Sequence, residues 1–412
     1  MTTVPTDRLG PLRYAPFRWL LAARTTSILG NAVAPIALAF AVLDLTGSAA
    51  DLGLVVASRS IANVAVLLFG GVVADRLPRD VVLVGTSAAA AVTQGIVAAL
   101  VVSGSASIPS LVVLSVLNGA VAAVSLPAAG ALVPDTVPAS ALRPANALLR
   151  LGLNGGSILG ASAGAGLVAL VGPGWGLAVD AAGFAVAAVL FTRLRLPRRP
   201  AATGDTEPRS ITADLREGWQ EFVSRRWVWI VVVQFTVLNA AFVGATAVLG
   251  PVVADASFGR AAWGLVVAAL SVGLAVGAVL ALRWRPRHAL GTGVALMVVA
   301  AVPVTALALV PSVPALVVSF AFAGVAIEVF SIAWDQSLQT NVPRDVLARV
   351  YSYDAVGSVV AVPFGEALVG PLAHAVGTTP TLLGCAVLIV VATIAAAATP
   401  AVRRVTVGAT EA

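Results

Sequence analysis

Seven ionisable side chains interrupt runs that are otherwise apolar: Arg24, Arg59, Arg150, Asp180, Glu328, Asp354 and Glu366. Each charge held at depth in hydrocarbon costs roughly 2.5–3.5 kcal/mol on insertion scales, so each is a candidate for function. Their chemistry is ion pairing and proton transfer: a carboxylate releases its proton as a guanidinium approaches and takes one up as the guanidinium withdraws. Counted along helices at the α-helical rise, Arg24, Arg150, Glu328 and Asp354 lie roughly 12–14 Å from the same membrane face. Two cations and two anions thus share one layer. Glu328 or Asp354 is expected to exchange a proton against Arg24 or Arg150, and the alternative is a permanent ion pair that only holds helices together. Arg59 and Glu366 lie about 12 Å from the opposite face, with Asp180 slightly shallower. These three are outer-gate candidates, with an Arg59 to Glu366 latch, unless Arg59 instead snorkels to the surface.

The elements that must hold these groups are twelve apolar stretches, at about 16–43, 52–73, 81–103, 109–131, 143–171, 175–193, 227–251, 261–282, 289–310, 314–336, 346–373 and 379–399. Most are long enough to cross about 30 Å of hydrocarbon as a helix, which takes about 20 residues. The chain contains no lysine, and 21 of its 25 arginines fall at or beside the N-terminus, the C-terminus or the gaps after helices 2, 4, 6, 8 and 10. The positive-inside rule makes those segments cytoplasmic, both termini included. The first stretch is too long, and its flank too weakly marked for cleavage, to read as a removable signal peptide.

Composition excludes several classes. A chain that is 59% hydrophobic and 11% charged has lipid as its solvent. The arginines are spread thinly over loops, as topology requires, which argues against nucleic-acid binding. Without lysine there is no P-loop and no Schiff-base chemistry. His288 and His374 are far apart in sequence and Cys385 stands alone, so no metal set, disulfide, cofactor site or catalytic constellation is expected. The composition, rich in Ala, Val, Gly and Arg, points to a GC-rich bacterial genome.

Residues 194–226 form the longest polar stretch and divide the chain into an N-terminal six-helix bundle at 1–193 and a C-terminal one at 227–412. Within the linker, 212–224 places Leu215, Trp219 and Phe222 on one helical side, which suits an amphipathic helix on the membrane surface or a solvated linker helix. The halves repeat: "VPASALRPANAL" at 137–148 matches "VPRDVLARVYSY" at 342–353, and Gly71 through Arg79 aligns with Gly277 through Arg285. Two parallel repeats of six helices are the build of a secondary transporter that rocks one half against the other around a central site.

Asn31, Asn118, Gln234 and Asn239 are uncharged polar residues within helices 1, 4 and 7, and are either substrate-cavity candidates or interhelical hydrogen-bonding groups. Gly156, Gly160 and Gly164 recur every four residues in helix 5, a smooth face for close packing. Trp334 stands at the inner end of helix 10, where an interfacial anchor is the expected role.

The loop "GGVVADRLPRD" at 70–80, with Gly71, Asp75, Arg76 and Arg79, resembles the signature between helices 2 and 3 of the major facilitator superfamily. "LDLTGSAADLGLVVASR" at 43–59, "WDQSLQTNVPRDVLARVYSYD" at 334–354 and "PFGEALVGPLA" at 363–373 look like its enterobactin-exporter-like, drug-efflux branch. The resemblance implies an all-α membrane fold of twelve transmembrane helices in two pseudo-symmetric six-helix bundles. It implies that helices 1, 4, 7 and 10 line a central cavity and that Asp75 closes the inner side near Val346 to Val350. The second copy has Ala281 where Asp75 stands, so one half alone would carry that latch. The glycine spacing of helix 5 is similar to the superfamily's antiporter motif, with Ala161 replacing its proline.

The expected function is secondary active, proton-coupled export of a small amphipathic compound such as a drug, siderophore or secondary metabolite. An apolar cavity with few fixed charges would suit such a ligand. Uptake or facilitated diffusion of a metabolite, and a non-transporting receptor or scaffold, are the alternatives. The expected setting is a bacterial plasma membrane, and the expected partners are the substrate, protons and lipid, with the chain acting as a monomer.

Overall fold

The computed structural model describes residues 10–74, 79–130, 132–194, 219–283 and 288–406, and among these every long element is helical. Twelve helices are long and apolar enough to span a membrane. In chain order they are α1 (Ala15–Thr46), α2 (Ala49–Ala74), α3 (Arg79–Val102), α4 (Ile108–Gly130), α5 (Leu142–Val171) and α6 (Pro173–Thr192). The second six are α7 (Arg226–Val243, continued through a π-helical turn Gly244–Leu249 to Gly250–Ala256), α8 (Arg260–Arg283), α9 (Ala289–Leu296, a 3-10 turn Met297–Ala300, then Ala301–Leu309), α10 (Val313–Asn341), α11 (Arg344–Val359 and Val362–Val376) and α12 (Thr378–Ala398).

The chain divides into two compact units, Met1–Thr46 with Ser58–Ala202, and Gly47–Ala57 with Thr203–Ala412. The division departs from the sequence expectation at one place: the first turns of α2 group with the second unit. There Gly370 lies against the Ala49 carbonyl and Gly53 against the Glu366 carbonyl, contacts that a side chain would block. In the first unit α1 packs along α5 and α6, and α3 along α4 and α6. In the second unit α7 packs along α11 and α12, and α9 along α10 and α12. Each pairing of the first unit therefore recurs six helices later. The repeat extends to α2 with α4, where Gly119 meets the Arg59 carbonyl, and to α8 with α10, where Gly273 meets that of Ala321.

Local sequence explains the matching joints. Val137 and Val342 are extended, at φ −140°, ψ 153° and φ −112°, ψ 128°. Each precedes a proline, whose ring disfavours helical geometry in the preceding residue. Gly172 and Gly377, at φ 92° and 99°, make the turns before α6 and α12, in the left-handed region open to a residue without Cβ. Many large apolar side chains are exposed, among them Leu159, Leu170, Phe322 and Leu388. In this multi-pass protein lipid covers them, and small residues fill the helix seams instead.

Candidate functional site

In the first unit α1, α2, α3, α4 and α6 enclose a cavity of about 250 Å³. The spacing of α1 builds one wall: Arg24, Ser27, Ile28 and Asn31 follow the three-and-four pattern that puts residues on one helical face. Arg59 crosses from α2, where its Nε donates to Asn118 Oδ1 at 3.1 Å and a terminal nitrogen donates to Asn31 Oδ1 at 3.4 Å. Both asparagines thus turn their oxygens to a guanidinium. Thr86 and Ser87 of α3 add hydroxyls, while Phe184 and Phe191 of α6 supply an apolar wall. Two arginines and two amides thus share this lining with apolar side chains. The Arg24 Nε is buried and has no hydrogen-bond partner.

Asp180 of α6 is fully buried, and Gln94 Nε2 of α3 donates to its Oδ2 at 2.6 Å. Its Oδ1 has no hydrogen-bond partner and sits close to Gly30 of α1, where an added Cβ would come within 3.1 Å of it. Arg59 is near enough to act on this carboxylate electrostatically. Arg150, expected in the same buried layer as Arg24, is exposed on α5.

In the second unit a pocket of about 280 Å³ lies between α7, α10 and α11. Phe235 of α7 stacks on Phe330 of α10 with ring centroids 4.3 Å apart. Trp334, one helical turn along, stacks on Phe330 at 6.2 Å and donates its Nε1 hydrogen to Asp354 Oδ2 at 2.9 Å. It is only 6% exposed, which corrects the expected interfacial anchor: the indole is a wall of the pocket. Asp354 also accepts from the Ser358 hydroxyl at 3.2 Å, and Asp335 completes an acidic rim.

The other polar candidates of α7 do not line this pocket. Gln234 is buried toward α12, its Nε2 being 3.4 Å from Thr393 Oγ1. Asn239 donates to the Ser358 carbonyl at 2.8 Å and Thr236 to the Gly357 carbonyl at 2.6 Å. These bonds lie at the break of α11 between Val359 and Val362, where the helical ladder that would otherwise use the Gly357 and Ser358 carbonyls is interrupted. Carbonyls freed in a membrane-spanning helix need another donor, and α7 provides two. Glu328 is half-buried on α10 where Gly277 of α8 makes room for it, and Glu366 of α11 is buried at 3% exposure.

Gly160 faces the Leu29 carbonyl, Gly164 the Val33 side chain and Gly156 the Thr25 carbonyl, so the glycine face of α5 is a seam against α1. The signature loop falls outside what can be described: Asp75 and Arg76 lie beyond the described residues, as does Arg285. Gly71 and Arg79 are placed only as members of α2 and α3. Of the linker helix, residues 219–224 are described, with Leu215 outside. There Trp219 stacks on Phe222 at 5.7 Å and meets Tyr353 edge-on at 5.5 Å.

Each of the two repeated helical units thus holds a polar cavity. Residues 20–365 match the sequence model of the Major Facilitator Superfamily. The chain belongs to this superfamily.

Members of the superfamily resemble it along almost its whole length. The protein named multidrug efflux pump Tap, from Mycolicibacterium fortuitum, is 25% identical over 382 residues, covering 89% of this chain and 91% of that protein. The crystal structure of the nucleoside transporter NupG superposes with a TM-score of 0.77 at 16% identity, covering 93% of this chain and 98% of NupG. A bacterial homologue of the human lysosomal transporter Spinster, described as inward-facing and unoccupied, gives 0.69 at 16% identity with 96% of each chain covered. At such identities the structures establish the fold alone. The protein is a multi-pass membrane transporter of this superfamily, and not an enzyme.

Sequence reasoning did not single out Ser27, Ser87, Gln94, Phe235 or Phe330 as site residues. A signal existed for two of them. Ser27 falls between Arg24 and Asn31 on one stripe of α1, and Phe330 stands four residues before Trp334. Gln94 stands out only as a polar residue within an apolar helix, and Phe235 carries no mark, because their partners come from other helices.

Proposed function

We propose that this transporter exports a small amphipathic compound by alternating access, in exchange for protons, from a bacterial cytoplasm that holds both termini. The observation that carries the reading is the placement of Asp354 on the wall of an aromatic pocket. A carboxylate there can take up a proton in one state of the transport cycle and release it in the other as its surroundings change. The stacked rings of Phe235, Phe330 and Trp334 offer an apolar body a flat platform, while Asp335 and Ser358 offer its polar end hydrogen-bonding partners. Asp354 is the preferred proton carrier, with Glu328 as the second candidate. The relationship to a protein named as an efflux pump supports the outward direction, and the arginine distribution supports the orientation.

Inside-out vesicles test the reading. A panel of radiolabelled antibiotics, lipophilic cations and siderophores should include a compound that accumulates only when the vesicle interior is made acidic. Asp354→Asn should abolish that dependence while leaving counterflow of the same compound. Accumulation that ignores the gradient would mean a facilitated carrier, and proton-driven accumulation surviving both Asp354→Asn and Glu328→Gln would remove these carboxylates from the mechanism.

A further inference from the structure

The cavity of the first unit has a charge balance that the export reading does not use. Its described lining carries two guanidiniums, Arg24 and Arg59, and no carboxylate. Outside that lining, the buried carboxylate of Asp180 is held by Gln94 and interacts electrostatically with Arg59. Arg59 is held by Asn31 and Asn118, whereas Arg24 brings a second guanidinium to the same wall. Its Nε is buried without an acceptor, a costly state for a donor on a charged group.

The remaining polar atoms are set for the same purpose. Asn31 and Asn118 each spend their amide oxygen on Arg59, which leaves their NH₂ groups as donors. Ser27 and Ser87 bring hydroxyls to the same space. A wall of guanidinium, amide N–H and hydroxyl donors lacks one thing, an acceptor that is also an anion. Ile28 on the same wall and Phe184 and Phe191 of α6 suit an apolar body attached to that anion.

We propose that this cavity is an oxyanion receptor, and that the transported compound is an amphipathic acid whose monoanionic carboxylate, sulfonate or phosphate ester is held by Arg24. The proposal names the charge class of the cargo and so rests on the transport reading for the word cargo. The binding itself does not.

The test uses the purified full-length chain in detergent, with 2-naphthoate, 2-naphthalenesulfonate and the neutral 2-naphthamide as probes, and binding read as a thermal shift. Both acids should bind at least about tenfold more tightly than the amide, the difference between a charge-assisted and a neutral hydrogen bond. Arg24→Gln should erase that preference and Arg24→Lys should keep part of it. Should Arg24→Gln not fold, Ser27→Asp, which sets a carboxylate in the same wall, must erase it instead. Inorganic phosphate separates the sources of the anion: displacement of the naphthoate by phosphate means that free oxyanions are ligands too, and supports the receptor. An absent acid preference at millimolar concentrations, or one that survives Arg24→Gln, overturns it. Acid binding without transport would leave the receptor and remove the export reading. Proton-driven export of a neutral or cationic compound without any acid preference would do the reverse.

Discussion

Trp334 Nε1 donates to Asp354 Oδ2 at 2.9 Å, joining α10 to α11 at the wall of an aromatic pocket. The bond fixes a carboxylate that would otherwise choose among several rotamers. Trp334→Phe keeps the ring stack on Phe330 and removes the donor. A double-mutant cycle of Trp334→Phe with Asp354→Leu, read from unfolding in detergent, should return a coupling of about 0.6–1.7 kcal/mol, the range found for interhelical bonds in membranes. A coupling of zero would mean that the two side chains do not meet.

The seam between α5 and α1 makes a steric prediction. A Cβ at Gly160 would enter the space of the Leu29 carbonyl, whereas one at Gly166 meets nothing within 4 Å. Gly160→Ala should destabilise by about 1–3 kcal/mol through overpacking. Gly166→Ala should be neutral or gain up to about 1 kcal/mol from helix propensity. Thermal midpoints of the two variants check the contrast, and equal values would contradict the seam.

Among the described residues, Gln94 is the donor to the buried carboxylate of Asp180. Gln94→Leu strips that partner and should cost about 1–3 kcal/mol, as expected for a buried acceptor left unsatisfied. Asp180→Asn retains an oxygen that can accept the same hydrogen and should cost less. The order of the two unfolding midpoints is the measurement.

At the break in α11, Thr236 and Asn239 occupy the Gly357 and Ser358 carbonyls. Thr236→Val and Asn239→Leu should each lower stability by about 1 kcal/mol. Pro363→Ala returns the missing N–H to the helix, so amide hydrogen exchange around 360–365 should slow. Unchanged exchange would show that the proline does not cause the break.

Much of this could be read in advance. Twelve spans and the glycine seam follow from hydropathy and four-residue spacing, because lipid forces each span to satisfy its own backbone. The repeat in "VPASALRPANAL" and "VPRDVLARVYSY" corresponds to matching extended joints at Val137 and Val342. The polar residues within helices were less legible. Gln234 and Asn239 carry the same sequence signal as Asn31 and Asn118, yet the first turns to Thr393 and the second caps a carbonyl of α11. Trp334 looked like an anchor by its position near a helix end and is instead part of a pocket wall.

By itself the sequence determined what lipid and helix geometry act on directly: the number of spans, the internal repeat, and the list of charged residues costly enough to need a reason. Only the tertiary structure decided which of them meet. Whether Arg59 finds Asn118, Asp180 finds Gln94, or Arg24 is left with a buried N–H depends on the rotation of each helix against its neighbours. That rotation is set by packing of small residues from distant parts of the chain, which no local pattern encodes.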